Sequence, residues 1–594
     1  MHFLNQQFGP KGHAFSFFFK VISLALVKTL CLNAVLAQEE HAKNSGITFN
    51  GTSTISGYYS NRTPFGQDIP PEYLNWHLRG NLNLAGIPLQ ISSLLTTQQR
   101  PERQSMNHFS IRIDTRSLIR QPELSQRLPF LKYVETFEVG RTRPDYSQLM
   151  LSGIPLNGIN IALRGFGFHL AFAYGNSQRA VNRGSYLSQQ YKQEMIFGRI
   201  GFGRKDENYL NISMLRAKDD PNSIEANPTF YVREPYTFEH NLDTFFIPLD
   251  SVPVVRKPRE TLMSGVELGL SLFNHKLKLH GEVVGSVNTS NTESETIPVN
   301  EIPDWIMKLH EPRLTTSLSY AFGFRSALDL KTTRVQASMR RTAPGFQSPG
   351  TPFMRQDNFN YEIRANQLLF SRKLSVQPYF RWFRDNLSGQ KAQTTYTQVW
   401  GINSMWRPAG LPYLGVNYSP HKQETRHEDF TQTNLATVLT ISSGRNYRIN
   451  DLAAFTGLSW SNQQIKSKFE TGERVYTGNN FSLQQSLRLK VPITFNATAG
   501  YYIFETDEST SNSYQLALRA NYQYERKWNA GMGVRYLDQN SDRKRTGITA
   551  NLRYSFGKYG EVNLSAEPAI YRDLLDPERE YDEFVVRVSF TNKW

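Results

Sequence analysis

Apolar and polar residues alternate with a period of two through many segments of the chain. Between Tyr514 and Tyr524, one phase carries tyrosine, leucine and alanine, and the other carries mostly glutamine, asparagine and arginine; residues 548–556 repeat this pattern. Such alternation is typical of a strand with one apolar and one polar face. A soluble sandwich also alternates, but these segments run roughly 10 to 15 residues, enough to cross a bilayer. The pattern therefore favours strands with one face in lipid.

The connections between these segments alternate between short and long. Short turns lie near residues 86–88, 165, 274–275, 371–373, 408–410, 491–492, 526–527 and 556–560. Longer polar loops lie between them at 98–107, 176–190, 218–260, 289–311, 338–356, 462–479 and 573–581. Bacterial barrels have short periplasmic turns, long extracellular loops and an even number of strands.

The sequence therefore predicts an all-β fold: one large transmembrane antiparallel β-barrel of about 24–26 strands. The predicted strands include 151–164, 312–322, 324–337, 429–442, 446–461 and 480–490. Residues 119–132 form a connection that is too long for the short-turn side, so a strand could be miscounted there.

Residues 1–37 are predicted to be a cleaved signal peptide and 38–594 the barrel. Lys11 and Lys20 precede an apolar segment at 21–36, and Ala37 ends a small-residue cleavage site, although Lys28 interrupts the apolar run. An uncleaved amphipathic N-terminus is the alternative. Cys31, the only cysteine, lies in this leader, so we expect the exported chain to have no thiol. No later stretch has the 18 consecutive apolar residues of a transmembrane helix.

Composition agrees with a location in the outer membrane of a Gram-negative cell. Aromatic residues make up 13% of the chain, as expected if aromatic girdles lie at both membrane interfaces. The formal net charge is +15. For an exported barrel, this charge favours outer-membrane lipid, lipopolysaccharide or anionic solutes as partners over nucleic acid, and the basic residues are dispersed rather than clustered.

The last predicted strand, 582–594, is amphipathic and ends in an aromatic residue. Phe584, Val586, Val588, Phe590 and Trp594 share one phase. This strand resembles the C-terminal signal of outer-membrane barrels, and the resemblance implies recognition by the barrel-assembly machinery. An edge strand of a soluble sheet is the alternative interpretation.

Two further blocks resemble Bacteroidota outer-membrane barrels of unassigned function. The first is 139–158, VGRTRPDYSQLMLSGIPLNG, and the second is 215–223, LRAKDDPNS, followed by ETLMSG at 260–265. The resemblance covers roughly residues 45 to 330; it supports the fold and phylum and implies no activity or catalytic residue. TonB-dependent transporters carry a plug before the barrel, and we expect none here because the first strand begins near residue 46.

Arginines recur on the phase predicted to face the lumen. They are Arg79, Arg112, Arg364, Arg381, Arg488, Arg519, Arg535, Arg553 and Arg587. An arginine facing lipid at the midplane costs about 2–4 kcal/mol, so these side chains should face the lumen or lie near an interface. They could form a cationic wall that favours anionic solutes. Alternatively, they pair with acids such as Glu362 or Glu525, or with incoming loops.

The longest predicted loop, 218–260, is rich in aromatic residues. It contains Tyr231, Tyr236, Phe238, Phe245 and Phe246. An apolar loop of this length should not extend freely into water. It is predicted to constrict the barrel, cap its mouth or bind a partner protein; simple packing of the outer vestibule is the alternative.

Catalytic and metal motifs are missing from the sequence, so we predict no enzyme, cofactor, metal or catalytic residue. The best metal candidate is a predicted loop with His421, Glu424 and His427, but a solvated loop explains it more simply. The favoured function is a passive or partner-gated channel for solutes, which are anionic if the arginine wall exists. A scaffold that anchors surface or periplasmic partner proteins, one of which fills or caps the lumen, is the first alternative. A membrane-embedded lipid enzyme is the second.

Overall fold

The computed structural model describes residues 47–62, 70–84, 87–98, 103–113, 129–181, 189–204, 207–224, 236–240, 243–247, 257–298, 307, 309–470, 472–525, 527–540 and 542–593. Among these residues, no helix has the length and apolar character needed to cross a membrane.

The strands follow one another along the whole described chain. They are β1 (Ile47–Ser60), β2 (Glu72–Leu84), β3 (Ile87–Thr96), β4 (His108–Ile113), β5 (Val134–Thr142), β6 (Asp145–Ser147), β7 (Leu151–Ser152), β8 (Leu156–Gly165), β9 (Phe168–Gln178), β10 (Gln193–Gly203), β11 (Tyr209–Asp219), β12 (Tyr236–His240), β13 (Asp243–Ile247), β14 (Glu260–Leu272), β15 (Leu277–Thr289), β16 (Thr316–Asp329), β17 (Thr333–Thr342), β18 (Asn358–Leu369), β19 (Leu374–Asp385), β20 (Gln393–Trp406), β21 (Tyr413–His427), β22 (Thr431–Ile449), β23 (Leu452–Phe469), β24 (Gly472–Arg488), β25 (Ile493–Glu505), β26 (Thr510–Tyr524), β27 (Trp528–Gln539), β28 (Arg543–Ser555), β29 (Glu561–Asp573) and β30 (Tyr581–Lys593). Short 3-10 helices lie at Pro129–Tyr133, Pro221–Ser223, Gly557–Tyr559 and Pro577–Arg579.

Twenty-six of these strands form one closed antiparallel barrel, which confirms the predicted fold. Each wall strand pairs with the next wall strand along the chain, and β30 closes the sheet on β1 with Phe590 opposite Ile55. The remaining four strands form two hairpins, β6–β7 and β12–β13. Closure leaves no free sheet edge, which is the condition for a sheet to span a bilayer.

The predicted alternation decides which side chains face outward. Along β26, Tyr514, Leu516 and Leu518 are 55%, 47% and 51% exposed on the barrel's outer surface. The opposite phase of this strand carries Gln515 and Arg519. An apolar exterior on a closed barrel is stable only in lipid, so the chain is an outer-membrane barrel.

Several predicted strand boundaries are wrong. β16 continues through Gly323 to Asp329, β22 continues to Ile449, and β24 begins at Gly472, where a loop at 462–479 was predicted. Alternation continues without a phase break across each of these places, so glycine and polar residues there do not end the strand. The predicted strand 151–164 starts too early. The wall strand β8 begins at Leu156, and the residues before it leave the wall.

The two halves of the barrel differ in height. β21 to β24 contain 15, 19, 18 and 17 residues and have short connections at both ends. Long connections are concentrated before β20, at the end opposite the short turns. This long-loop end is the extracellular one. β4 pairs directly with β5, so no wall strand lies between them; residues 119–128 of the connection lie outside the described residues.

Candidate functional site in the barrel lumen

A short hairpin occupies part of the lumen. The connection between β5 and β8 carries β6 and β7, which pair as a hairpin. Its apolar residues Leu149, Met150 and Leu151 are at most 2% exposed. They pack in one cluster with inward residues of the wall: Ala162, Ala171, Ala173, Met195, Phe197, Leu215, Ala217, Met263, Val284 and Ala321. We call residues 145–152 the inserted hairpin. A 26-stranded barrel is too wide for its wall side chains alone to fill, and the hairpin fills part of this space.

The wall beside the inserted hairpin is apolar on both faces. On β10, Met195 and Phe197 are fully buried toward the lumen, whereas Ile196 is 42% exposed on the outside. The inserted hairpin was not predicted, although the sequence contains a signal for it. A run of consecutive apolar residues such as Met195-Ile196-Phe197 indicates a strand covered on both faces. The block at 139–158 that carries the family resemblance includes the whole hairpin.

A second segment, 343–357 between β17 and β18, holds the inserted hairpin in place. Leu151 and Gly350 form a parallel bridge, in which the Ser152 N–H donates to the Gly350 carbonyl at 3.2 Å. Ser348 Oγ donates to the Met150 carbonyl at 3.0 Å. A Cβ on Gly350 would lie 1.9 Å from the Met150 carbonyl oxygen, so only glycine permits this approach.

Polar contacts fix the tip of the inserted hairpin to the wall. Ser147 Oγ donates to the Glu282 carboxylate and accepts from the Met150 N–H at 2.9 Å. Tyr146 donates to Asn160 Oδ1 at 2.6 Å and stacks on Phe197 with 5.3 Å between ring centroids. Burial raises the pKa of Tyr146, so its hydroxyl remains a donor. These contacts make the hairpin a fixed part of the lumen.

A buried ionic cluster lies on the wall on the periplasmic side of the inserted hairpin. Arg199 Nη2 contacts Glu267 Oε2 at 2.8 Å, with side chains 5% and 10% exposed. Glu267 also accepts from Tyr209 at 3.0 Å and Asn211 at 3.3 Å, and its Oε1 lies 2.8 Å from His280 Nε2. Every carboxylate oxygen of Glu267 therefore has at least two partners, which compensates for its removal from water.

A cavity of about 500 Å³ lies between the inserted hairpin and the wall from β15 to β21. The hairpin contributes Gln148 and Leu149 to its lining. The charged and titratable residues around it are Arg325, Arg340, Arg355, Arg381, Glu282, Glu362, His280 and His421. Arg340 Nε and His421 Nε2 are buried and have no hydrogen-bond partner among the described residues. The cavity is thus rich in donors, and arginine is its most frequent charged residue.

Several of the predicted lumen arginines pair with acids. Arg364 and Arg381 both contact Glu362, the latter at 3.1 Å. Arg112 contacts Glu138 at 3.3 Å and Arg587 contacts Glu567 at 2.6 Å, while Arg553 pairs with Glu561. These five arginines therefore pair with acids, which is the alternative that the sequence had left open. Glu525 contacts Lys527 at 3.8 Å and, among the described residues, no arginine.

The other four predicted arginines have no acidic partner among the described residues. Arg79 Nε contacts His77 Nε2 at 2.9 Å, and Arg519 donates to Asn521 and Asn551. For Arg488 and Arg535, the described part of the chain offers neither an ion pair nor a hydrogen bond. Arg519 and Arg535 lie on neighbouring strands, on the phase opposite the outward Leu518 and Val534.

The predicted aromatic loop contains a hairpin whose backbone alone is described. Tyr236 pairs with Ile247 and Phe238 with Phe245, and Phe246 follows on β13. Tyr231 lies outside the described residues. The predicted role of loop 218–260 as a constriction or cap stays a prediction, whereas segments 145–152 and 343–357 fill part of the lumen.

The C-terminal strand lies at the seam of the barrel. Phe584, Val586, Val588 and Phe590 share the outward phase and pack with Ile55 and Tyr59 of β1. Trp594 lies outside the described residues.

The histidine-containing loop predicted near residue 424 is wrong, because β21 extends to His427. Strand alternation turns His421 toward the lumenal cavity, whereas Glu424 binds Arg426 on the outer surface. Within the described ranges, no three histidine or carboxylate side chains are grouped closely enough to hold a metal ion.

No protein-family model and no curated protein matches the chain. Among solved structures, it is similar to the outer membrane protein opdK of Pseudomonas aeruginosa (11% identity, TM-score 0.28), covering 57% of this chain and 94% of that one. It is also similar to OccAB2 of Acinetobacter baumannii (10% identity, TM-score 0.29), covering 57% and 93%. The P pilus usher PapC translocation pore covers more, 92% and 99%, at 10% identity and a TM-score of 0.32. Similarity this low does not support a function.

Proposed function

We propose that the chain forms an outer-membrane channel that favours small anionic solutes. The observation that carries this proposal is the excess of guanidinium groups in the lumen that no described acid neutralises. Arg488, Arg519 and Arg535 lie on the wall formed by β24 to β27, away from the inserted hairpin. Fixed positive charge in a low-dielectric wall raises the local concentration of anions and repels cations.

The inserted hairpin narrows the path and brings solutes against the wall. The cavity beside it contains the donor Arg340 Nε and the imidazole nitrogen His421 Nε2, both buried and without a hydrogen-bond partner among the described residues. A carboxylate or phosphate can accept from such donors, and arginine binds both groups in a bidentate manner. Glu282 and Glu362 at the same cavity limit its net positive charge, which suits transient rather than tight binding of an anion.

Ion selectivity in planar bilayers tests the proposal. Under a KCl gradient, the reversal potential of the purified protein should have the sign of chloride selectivity. The variant Arg488→Gln with Arg519→Gln and Arg535→Gln should shift it toward zero, because three lumenal charges are removed. The matched control, Lys466→Gln with Lys468→Gln and Arg426→Gln, removes three charges from the outer surface and should leave it unchanged. Cation selectivity, or no conductance in well-folded protein, would refute the channel.

The route to the membrane is a second part of the proposal. The resemblance at 139–158, 215–223 and 260–265 supports a Bacteroidota source. We propose export through the leader 1–37 and recognition of the last strand by the assembly machinery. The shared outward phase of Phe584, Val588 and Phe590 supports this recognition. The double variant Val588→Ser with Phe590→Ser should block insertion in vivo. The control, Val585→Ser with Ser589→Ala, changes two inward residues of the same strand and should insert normally.

A further inference from the structure

The outer surface of the barrel carries a group of basic residues at the extracellular ends of neighbouring strands. On β17, the outward-facing residues are Val335, Ala337 and Met339, followed by Arg341 at the strand end. On β19, the outward-facing Trp382 is followed by Arg384. On β21 the outward residues up to Tyr418 are followed by Lys422 and Arg426, and on β23 Trp460 is followed further along by Lys466 and Lys468. We call Arg341, Arg384, Lys422, Arg426, Lys466 and Lys468 the outer-rim basic patch.

The register of neighbouring strands places the residues of the outer-rim basic patch side by side. Arg341 lies opposite Phe359, which lies opposite Arg384 on the next strand. Arg384 is in turn opposite Tyr396, and Lys422 is linked through Leu435 to Lys466. The cations therefore form one surface directly beyond the apolar exterior, at the depth where lipid headgroups meet water.

Aromatic rings of the girdle hold the guanidinium groups at this depth. The Tyr396 ring lies between two arginines, with Arg384 at 5.3 Å and Arg426 at 4.8 Å from its centroid. Arg341 lies 5.7 Å from the Tyr320 ring. Cation–π contact leaves the N–H groups of a guanidinium available for an anion. These three arginines are therefore held in place before any ligand binds.

Two acids, Glu424 and Glu473, lie beside the six cations on this surface and do not balance them; Glu473 is opposite Lys468 on the next strand. Glu424 contacts Arg426 at 2.6 Å and Lys422 at 3.1 Å. Within the described chain, Arg341, Arg384, Lys466 and Lys468 make no ion pair, and the buried Nε of Arg384 has no hydrogen-bond partner. Like charges kept together on an outer surface need counter-ions, and here they face the lipid leaflet rather than the lumen.

We propose that the outer-rim basic patch binds the phosphate groups of the phosphorylated glycolipid of the outer leaflet. The patch lies at the long-loop end, which faces the cell exterior, and its depth is that of the lipid's sugar-phosphate headgroup. Guanidinium groups bind phosphate oxygens in a bidentate manner, and the lysines add point charges. This surface is separate from the lumen, so the inference stands whether or not the barrel conducts.

Binding of bis-phosphorylated lipid A to the full mature chain in detergent tests the inference. Each lysine or arginine near an anionic lipid surface is worth about a fivefold change in binding, so the variant R341Q/R384Q/K422Q should bind roughly 100-fold more weakly. The control K331Q/R372Q/K373Q removes three cations from the short-turn end and should bind like the wild type. Glu424→Gln should bind more tightly, roughly fivefold, because a competing acid is removed.

Three results would overturn the inference. The first is equal affinity of the patch variant and its control, with both folded by circular dichroism and heat-modifiable gel migration. The second is equal binding of dephosphorylated lipid A, which would assign the affinity to acyl chains. The third is displacement of lipid A by millimolar inorganic phosphate, which would show that the site takes any free anion. If the triple variant folds poorly, Glu424→Gln provides a second test, because this variant should bind lipid A more tightly than the wild type and an unchanged affinity would contradict the inference.

Discussion

Replacing Gly350 by alanine should loosen the inserted hairpin without touching the barrel wall. The new Cβ would lie 1.9 Å from the Met150 carbonyl oxygen and 3.0 Å from the Leu151 Cα, and both of these atoms are backbone. No side-chain rotation relieves such a contact, so the hairpin and segment 343–357 must separate by at least about 1 Å.

The size of the effect follows from the contacts that hold the two segments together. Separation weakens the hydrogen bonds from the Ser152 N–H to Gly350 at 3.2 Å, from Ser348 to Met150 at 3.0 Å and from Thr351 to Leu149 at 3.3 Å. At about 1 kcal/mol each, their loss totals about 3 kcal/mol, which corresponds to a roughly 100-fold larger population of undocked hairpin.

A single-cysteine reporter measures that population. Cys31 is the only cysteine of the full chain, so Leu151→Cys places one thiol in the mature protein if the predicted leader is removed. Leu151 is 0% exposed and does not line the cavity, so a water-soluble maleimide should reach position 151 only when the hairpin undocks. The matched control is Gly323→Ala, where a Cβ meets nothing closer than the Met339 carbonyl at 3.9 Å. Modification should be roughly 100-fold faster with Gly350→Ala than with Gly323→Ala.

Equal modification rates in the two alanine variants would refute the reasoning. They would mean that the hairpin does not depend on its close approach to Gly350. Single-channel recordings of the same variants give an independent check, because undocking should appear as brief steps to a larger conductance in Gly350→Ala.

The remaining predictions concern the polar contacts of the lumen and one extracellular loop. Ser147→Ala should lower the free energy of unfolding by about 1–3 kcal/mol in thermal denaturation, because the Glu282 carboxylate stays buried and loses its hydroxyl donor. Glu267→Leu should cost about 3–5 kcal/mol and more than Arg199→Leu, because four side chains contact the Glu267 carboxylate. Burial lowers the pKa of His310, so folding stabilises its neutral form. Stability of its loop should therefore fall as the pH drops below about 6.5, where the unfolded loop gains the proton first; hydrogen exchange of residues 309–315 measures this.

Conservative variants serve as controls for these three predictions. Ser147→Thr keeps the hydroxyl and should restore most of the lost stability. Glu267→Gln keeps an acceptor and should be milder than leucine. His310→Asn removes the titrating group, so a pH slope that persisted in this variant would assign the effect elsewhere. A larger loss for Arg199→Leu than for Glu267→Leu would contradict the described hydrogen-bond pattern.

The sequence by itself determined the barrel. In a strand, neighbouring residues face opposite sides whatever the rest of the chain does, so alternation alone indicates which residues of β26 or β28 meet lipid. The even strand number and short turns then followed from the spacing of the segments. Boundaries failed where alternation continued through glycine or serine, as at Gly323 and Gly444, because these residues permit a turn without requiring one.

Only the tertiary structure decided what fills and charges the lumen. Met150 and Ser348 are 198 residues apart in sequence and meet only because two connections fold into the same barrel. Arg364 and Arg381 share Glu362 because β18 and β19 are in one particular register, whereas Arg535 meets no described acid. Period-two alternation points a side chain inward but carries no information about what lies across the lumen. Those contacts depend on register, on closure of the sheet and on where a distant connection folds.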